Sequence, residues 1–235
     1  VSNINVYGFA IFLIFLLVFS NASFLFNLST EALGGFAGTF IERILITGES
    51  VGTQWPQWWT TFYWFSWMAW APTSGAFMGQ IAYGRKVKHV LGLYVGLCAS
   101  VSAIWMVLVS GTSLWVQTSG LFDLVASYDR GVENVPYDML GALPLGNLII
   151  PLFVVLIFLS TITACNSNCI AMAGISTQGI NPDSPDSPMW LKLVWCVVPM
   201  AVGYIMIATV GVNGVKIIAN FGGMFAALIM IGATA

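Results

Sequence analysis

The chain has 235 residues, of which 58% are hydrophobic and only 7% are charged, and its net charge at pH 7 is −2. Soluble domains carry roughly 25% charged residues, so the composition excludes a soluble globular protein and indicates an integral membrane protein. Lys and Arg are too few to form a basic surface, which excludes nucleic-acid binding. The four cysteines lie inside apolar segments, which excludes a disulfide scaffold.

Membrane-spanning segments follow from the length of the apolar stretches. A helix needs about 20 apolar residues to cross roughly 30 Å of hydrocarbon. The stretches that meet this length are 6–28, 58–83, 90–118, 144–176, 189–211 and 213–235. We therefore predict an all-α, multi-pass protein of the cytoplasmic membrane with about six transmembrane helices. Because apolar stretches reach both ends of the chain, we expect it to be part of a larger protein.

The segment between the first two stretches, residues 29–57, has a different pattern. Glu31, Glu42 and Glu49 alternate there with apolar residues such as Leu33 and Phe36. A one-sided apolar pattern of this kind predicts an amphipathic helix that lies along the membrane surface.

The orientation follows from the basic cluster Arg85, Lys86 and Lys88, which lies between the second and third stretches. Cytoplasmic loops are enriched in Lys and Arg. The cluster therefore predicts a cytoplasmic loop at this point, and it puts residues 29–57 and 119–143 on the outer side.

Aromatic residues are concentrated in the second stretch, since six of the ten tryptophans fall within residues 55–70. On a helix at about 100° per residue, the positions that share one face are Trp59, Tyr63, Ser66, Trp70 and Ser74, with Trp67 on the flank. The tryptophans at the start of the stretch fit an interfacial aromatic belt equally well. Trp67 and Trp70 lie deeper, which favours a ligand site.

A row of aromatic rings at this depth suits a quaternary ammonium ligand. A quaternary ammonium donates no hydrogen bond, and proteins bind it by cation–π attraction to aromatic rings. Pro72, followed by Thr73, Ser74 and Gly75, also predicts a break in the helix. Broken helices at membrane depth are typical of substrate and ion sites in transporters.

The same residues resemble a known family. The run WTTFYWFSW at 59–67 and the run GQIAYGR at 79–85 are similar to the signature of the betaine/choline/carnitine transporters. That signature has the form W-T-x-F-Y-W-x-W-W and leads into an arginine-rich cytoplasmic loop. Weaker similarity extends over nearly the whole chain.

The resemblance implies a fold of twelve transmembrane helices built from two inverted repeats of five helices. Residues 1–28 would then be the seventh helix of the family, and residues 29–57 its outer amphipathic connecting helix. Residues 58–235 would be the second inverted repeat, which comprises the eighth to twelfth helices. Members of the family are typically homotrimers that carry trimethylammonium compounds across the lipid bilayer.

The resemblance also implies a substrate site on the aromatic segment. Tyr63, Ser66 and Trp67 occupy the positions that contribute to the central ammonium-binding box, and Trp64 and Trp70 line the same pathway. Trp59 matches an outer, second substrate contact of some members. Ser66 is a departure, because the family usually has Trp at this position.

Ion coupling is less clearly implied. In sodium-coupled members a Thr-Ser pair offers hydroxyl oxygens to Na⁺, a hard cation that prefers oxygen ligands. The aligned pair is Thr163-Ala164 in this chain, which keeps one of the two hydroxyls, and Thr161 or Ser160 from a neighbouring turn could substitute for the other. Ser74 stands where a sodium-free carnitine exchanger carries Met. Na⁺ coupling through Thr163 and Ser74 and sodium-free exchange both stay open.

The sequence thus favours secondary active transport of a betaine-, choline- or carnitine-type solute by alternating access. A sodium-independent exchanger and a solute-sensing receptor of the same fold are the alternatives. The chain has a single His, and no carboxylate lies inside a predicted span. It therefore lacks the acid and base residues of a catalytic centre, and we expect no enzyme. We also expect no organic cofactor and no metal centre, because Cys165 and Cys169 have no His or carboxylate nearby in the sequence.

Overall fold

The computed structural model describes residues 2–179 and 186–234, and these residues form α-helices and turns without a β-strand. The α-helices are α1 (Ser2–Phe19), α2 (Ala22–Ile44), α3 (Trp55–Ile81), α4 (Val87–Thr118), α5 (Leu124–Arg130), α6 (Val135–Gly141), α7 (Gly146–Ile175), α8 (Met189–Val210) and α9 (Val212–Thr234). Helix α4 contains two π-helical stretches, Gly92–Leu97 and Met106–Ser110. Short 3₁₀ turns occur at Glu49–Val51 and Val132–Asn134.

The all-α membrane fold is confirmed. Five helices of the described residues are long and apolar enough to cross a membrane: Ser2–Phe19, Val87–Thr118, Gly146–Ile175, Met189–Val210 and Asn213–Ala233. The remaining predicted span, 58–83, coincides with α3, which has 27 residues. Helix α3 is long enough to cross a bilayer but is less hydropathic, because Trp, Tyr, Thr and Gln replace aliphatic residues along it.

The first helix is shorter than the predicted span at 6–28. Helix α1 ends at Phe19, and α2 begins at Ala22. Asn21 separates them, because its side-chain oxygen accepts a hydrogen bond from the Phe24 N–H at 3.0 Å and caps the new helix. The predicted connecting helix at 29–57 therefore starts earlier, at Ala22, and ends at Ile44. The role of these two helices as family elements stays a prediction.

The predicted break at Pro72 is wrong, because α3 continues through this residue to Ile81. Proline removes one main-chain donor, and neighbouring side chains often compensate for it in membrane helices. The carbonyl that loses its donor here is that of Met68, whereas the Thr73 hydroxyl donates to the Trp70 carbonyl at 3.1 Å. The helix nevertheless continues past Pro72.

The chain divides into two compact units. The first unit comprises Val1–Ile41 and Arg85–Thr163, and the second comprises Glu42–Gly84 and Ala164–Ala235. The core of the first unit is a cluster of buried apolar side chains from α1, α2 and α4 to α7. The Phe12 and Phe153 rings stack at its centre with centroids 5.0 Å apart, and the Phe9 and Trp105 rings meet edge to face at 5.4 Å.

The second unit is built on the pairing of α3 with α9. At Gly223 the two backbones are in direct contact, since a Cβ added there would overlap the main-chain carbonyl of Phe65. Small residues that allow such close approach are typical of helix contacts in membranes. The contact fixes the position of the aromatic helix α3 against α9.

Candidate functional site

The N-terminal half of α3 carries a ladder of aromatic rings. The Trp55 and Trp59 centroids are 5.8 Å apart, and the Trp59 and Tyr63 centroids are 5.7 Å apart. Phe62 meets both Trp59 and Tyr63 edge to face at 5.9 Å. These spacings are favourable for aromatic pairs, so the ladder holds its rings in defined orientations along one side of the helix.

The predicted substrate residues further along α3 keep their rings accessible. The exposed fraction is 70% for Trp67 and 63% for Trp64, and Tyr63 and Trp70 are about half exposed. The Ser66 hydroxyl, by contrast, is buried and has no hydrogen-bond partner in the described residues. All the predicted substrate residues lie on α3, and among the described residues their ring contacts stay within α3. Their role in binding stays a prediction.

Trp70 lines a cavity of about 510 Å³ in the second unit, which we name the Cys169 cavity. Residues from α3, α7, α8 and α9 surround it, among them Thr73, Asn168 and Trp195. The Cys169 thiol donates to the Trp195 carbonyl at 3.3 Å, and the Trp195 indole N–H donates to the Ser176 hydroxyl at 3.1 Å. The cavity wall is mostly apolar, with the Asn168 amide as a polar group.

A second cavity, of about 680 Å³, lies where α9 and the loop before α3 meet the start of α3, and we name it the Lys216 cavity. Its lining residues are Glu49, Gly52, Thr53, Gln54, Gln57, Trp58, Thr61, Phe62, Lys216, Ile217 and Asn220. The Lys216 ammonium lies 5.6 Å from the centroid of the Phe62 ring. This cavity therefore combines charged, amide and aromatic groups.

The predicted ion-binding residues belong to different units. Thr163 lies in the first unit, where its hydroxyl donates to the Leu159 carbonyl at 2.9 Å, and Ser74 lies half-buried on α3 in the second unit. A shared ion site for these two residues stays a prediction. Among the described residues no cluster of three or more His, Cys, Asp or Glu side chains is placed to hold a metal ion.

Sequence reasoning missed the polar residues of the Lys216 cavity as a group. Glu49 was assigned to the connecting helix, but it starts a 3₁₀ turn that faces the cavity. Lys216 lies near the start of a candidate membrane span at Asn213–Ala233. A charged residue inside an otherwise apolar span is a recognised signal of function. Lys216 is such a residue, and its position in the sequence could have indicated a site at this end of α9.

The family model described as "BCCT, betaine/carnitine/choline family transporter" matches residues 1–235. The match covers α3, both cavities and the complete set of described helices.

Proposed function

We propose, because the chain belongs to the betaine/carnitine/choline transporter family, that it carries out secondary transport of a methylated ammonium solute by alternating access across the cytoplasmic membrane. The family consists of transporters, and the described helices suit a multi-pass membrane protein. The observation that carries the choice of solute is the row of accessible aromatic rings on α3, from Tyr63 to Trp70.

The chemistry of these rings supports the proposal. A trimethylammonium group cannot donate a hydrogen bond, so its binding energy comes from cation–π attraction and from contact of its methyl groups with aromatic faces. Trp67 has the most exposed indole of the predicted site, and its face is available to such a ligand. Ser66, one residue before it, stays a predicted substrate contact, although its hydroxyl is buried and has no partner among the described residues.

Replacement of Trp67 by alanine tests this function. In full-length protein reconstituted into proteoliposomes, we expect Trp67→Ala to raise the KM for uptake of its solute about 5–30-fold, because a cation–π contact of roughly 1–2 kcal/mol is lost. Uptake of labelled glycine betaine, choline and carnitine measures the effect.

Two variants serve as controls for this measurement. Trp67→Phe keeps an aromatic face and is expected to recover much of the affinity. Trp190→Ala removes an equally accessible indole, 65% exposed, from the start of α8, and its KM is expected to be unchanged. An unaltered KM in a correctly inserted Trp67→Ala protein would remove Trp67 from the site.

Sodium coupling is part of the proposal. The Thr163 hydroxyl donates its proton to the Leu159 carbonyl, and a hydroxyl oxygen is the type of ligand that a hard cation prefers. We expect uptake to depend on an inward Na⁺ gradient and Thr163→Val to raise the Na⁺ concentration for half-maximal uptake. Thr209→Val, which removes a hydroxyl on α8 that donates to the Ile205 carbonyl in the same manner, is the matched control. Uptake that is equal with and without Na⁺ would support exchange instead.

The proposed assembly is a homotrimer embedded in the lipid bilayer. Helix α2 presents an apolar surface, on which Phe36, Ile41 and Ile44 are all about 60% exposed. Apolar side chains of this size require apolar surroundings, which lipid or another copy of the chain would supply.

A further inference from the structure

Three of the four cysteines of the chain line the Cys169 cavity. Cys165 and Cys169 belong to α7, and Cys196 belongs to α8. All three thiols are free, as is that of the fourth cysteine, Cys98, which is exposed on α4. Binding of a methylated ammonium gives these thiols no role. A cavity that gathers three nucleophilic side chains is a candidate site of covalent modification.

Cys169 and Cys196 lie close enough to react with each other. The Cys169 thiol donates to the Trp195 carbonyl at 3.3 Å, and the carbon of that carbonyl is bonded to the main-chain nitrogen of Cys196. The two thiols are also in side-chain hydrogen-bond contact. A disulfide requires Cβ atoms that are roughly 3.5–4.5 Å apart, and two thiols in mutual contact on neighbouring helices meet this requirement with little movement.

The two thiols differ in their access to the cavity. Cys169 is 5% exposed, whereas Cys196 is half-buried. The cavity that both of them line has a volume of about 510 Å³. A water molecule occupies about 30 Å³ in the liquid, so the cavity has room for an oxidant as small as hydrogen peroxide. Such an oxidant meets Cys196 first, and the deeper Cys169 is placed to react second.

The pair lies near one end of both helices. Cys169 lies about two turns before α7 ends at Ile175, and Cys196 lies about two turns after α8 begins at Met189. In the predicted orientation this is the cytoplasmic end. Disulfides that form in the reducing cytoplasm are usually transient and serve catalysis or redox sensing. A disulfide at this end would therefore be reversible.

We infer that Cys169 and Cys196 are a modification site for peroxides, and that the disulfide they form joins α7 to α8 and slows transport. In the first step the Cys196 sulfur attacks a peroxide oxygen, the O–O bond breaks, and the thiol proton leaves in a water molecule. The Cys169 sulfur then attacks the resulting sulfenic sulfur, and an S–S bond replaces the S–O bond. The second water carries away the Cys169 proton. Two thiols lose two electrons in all, and one hydrogen peroxide is reduced to two water molecules.

The disulfide would act on transport through the cavity. Trp70 and Thr73 of α3 line the same cavity as the two thiols. Alternating access requires helices around the substrate pathway to move against one another, and a covalent bond between α7 and α8 restricts this movement. The effect on transport rests on the proposed function, whereas formation of the disulfide does not.

Peptide mapping tests the disulfide directly. Full-length protein in proteoliposomes is treated with hydrogen peroxide, the remaining free thiols are blocked with N-ethylmaleimide, and mass spectrometry of the digested protein identifies linked peptides. We expect a link between Cys169 and Cys196 that dithiothreitol removes. Cys165→Ser should retain this link, and Cys196→Ser should abolish it.

Uptake by the same vesicles tests the effect on transport. We expect peroxide to lower the Vmax for labelled glycine betaine, choline or carnitine about threefold or more, since a restricted helix pair slows the conformational step. Dithiothreitol should restore the Vmax. Cys169→Ala and Cys196→Ser are expected to resist peroxide. Cys98→Ser, which removes the exposed thiol of α4, is the matched control and should stay as sensitive as the wild type.

The outcomes distinguish this inference from the proposed function. Absence of the link between Cys169 and Cys196, or a link that leaves the Vmax unchanged, overturns the inference while transport remains. A loss of uptake that persists in Cys196→Ser has another origin and also overturns it. Wild-type protein that transports no methylated ammonium solute before oxidation would overturn the proposed function, and the peptide map would still show whether the disulfide forms.

Discussion

Ser127 is the polar residue whose environment is most sharply defined in the first unit. It is fully buried, and its hydroxyl donates to the Asp138 carboxylate at 2.5 Å. The same hydroxyl accepts a hydrogen bond from Arg130 at 3.1 Å, and Arg130 also pairs with Asp138 at 2.8 Å. The three side chains join α5 to α6. Since Arg130 is 60% exposed, the buried hydroxyl contributes more stability than the ion pair does.

Replacement of Ser127 by alanine should therefore destabilise the protein. We expect a loss of about 1–2 kcal/mol, because Asp138 loses a buried donor, and a melting temperature in detergent that is several degrees lower. Differential scanning fluorimetry measures the change. Ser100→Ala is the matched control, since its exposed hydroxyl bonds the Gly96 carbonyl of its own helix. Equal melting temperatures for the two variants would contradict this account.

Individual residues were predictable from the sequence where their local pattern was strong. The aromatic run identified α3, and its rings do form a ladder from Trp55 to Tyr63. The position of Glu49, Lys216 and Asn220 on one cavity was not predictable. It depends on contacts between α3, α9 and a loop that are distant in the sequence, and periodicity within one segment carries no information about such contacts.

At the scale of helices, the contact of α3 with α9 is the main determinant of the second unit. The backbones meet at Gly223 and Phe65, one residue before Ser66. Helix association in membranes depends on close van der Waals packing more than on burial from water. Any side chain at Gly223 would separate the helices at the level of the predicted substrate residues.

Gly223→Ala should accordingly lower the stability of the protein. Because the added Cβ would overlap main-chain atoms, which cannot rotate away, the two helices must move apart, and we expect a loss of about 1–3 kcal/mol. Thermal unfolding in detergent measures it. Gly222→Ala is the control on the neighbouring residue, where an added Cβ meets no atom within 4 Å. If both variants melt at the same temperature, the close contact is not formed.

Helix boundaries were harder to predict than helices. Apolar length located the five candidate membrane helices and α3, but it merged α1 with the start of α2, because Ser20 and Asn21 interrupt the apolar stretch only briefly. The missing N–H of Pro72 predicted a break in α3, but the helix continues there. The segment 119–143 was treated as a connection, yet it forms α5 and α6, and its Met139 and Leu140 belong to the core of the first unit.

At the scale of the molecule, the two compact units do not coincide with the predicted second repeat, and that repeat stays a prediction. The predicted second repeat at 58–235 contributes to both units, and α7 passes from the first unit to the second at Thr163. Composition and apolar length reveal the class of protein and its membrane helices, and the family match agrees with them. They do not reveal which helices pack together, because the same apolar residue types face lipid and face neighbouring helices.

The turn at Gly211 has a mechanical consequence for the second unit. A single residue joins Val210, the end of α8, to Val212, the start of α9, with φ 75° and ψ −166°, a conformation essentially confined to glycine. The Gly214 N–H then bonds the Gly211 carbonyl at 3.0 Å. Because one residue joins the two helices, a lateral displacement of α8 would also displace the start of α9. Lys216, in the second turn of α9, would move with it.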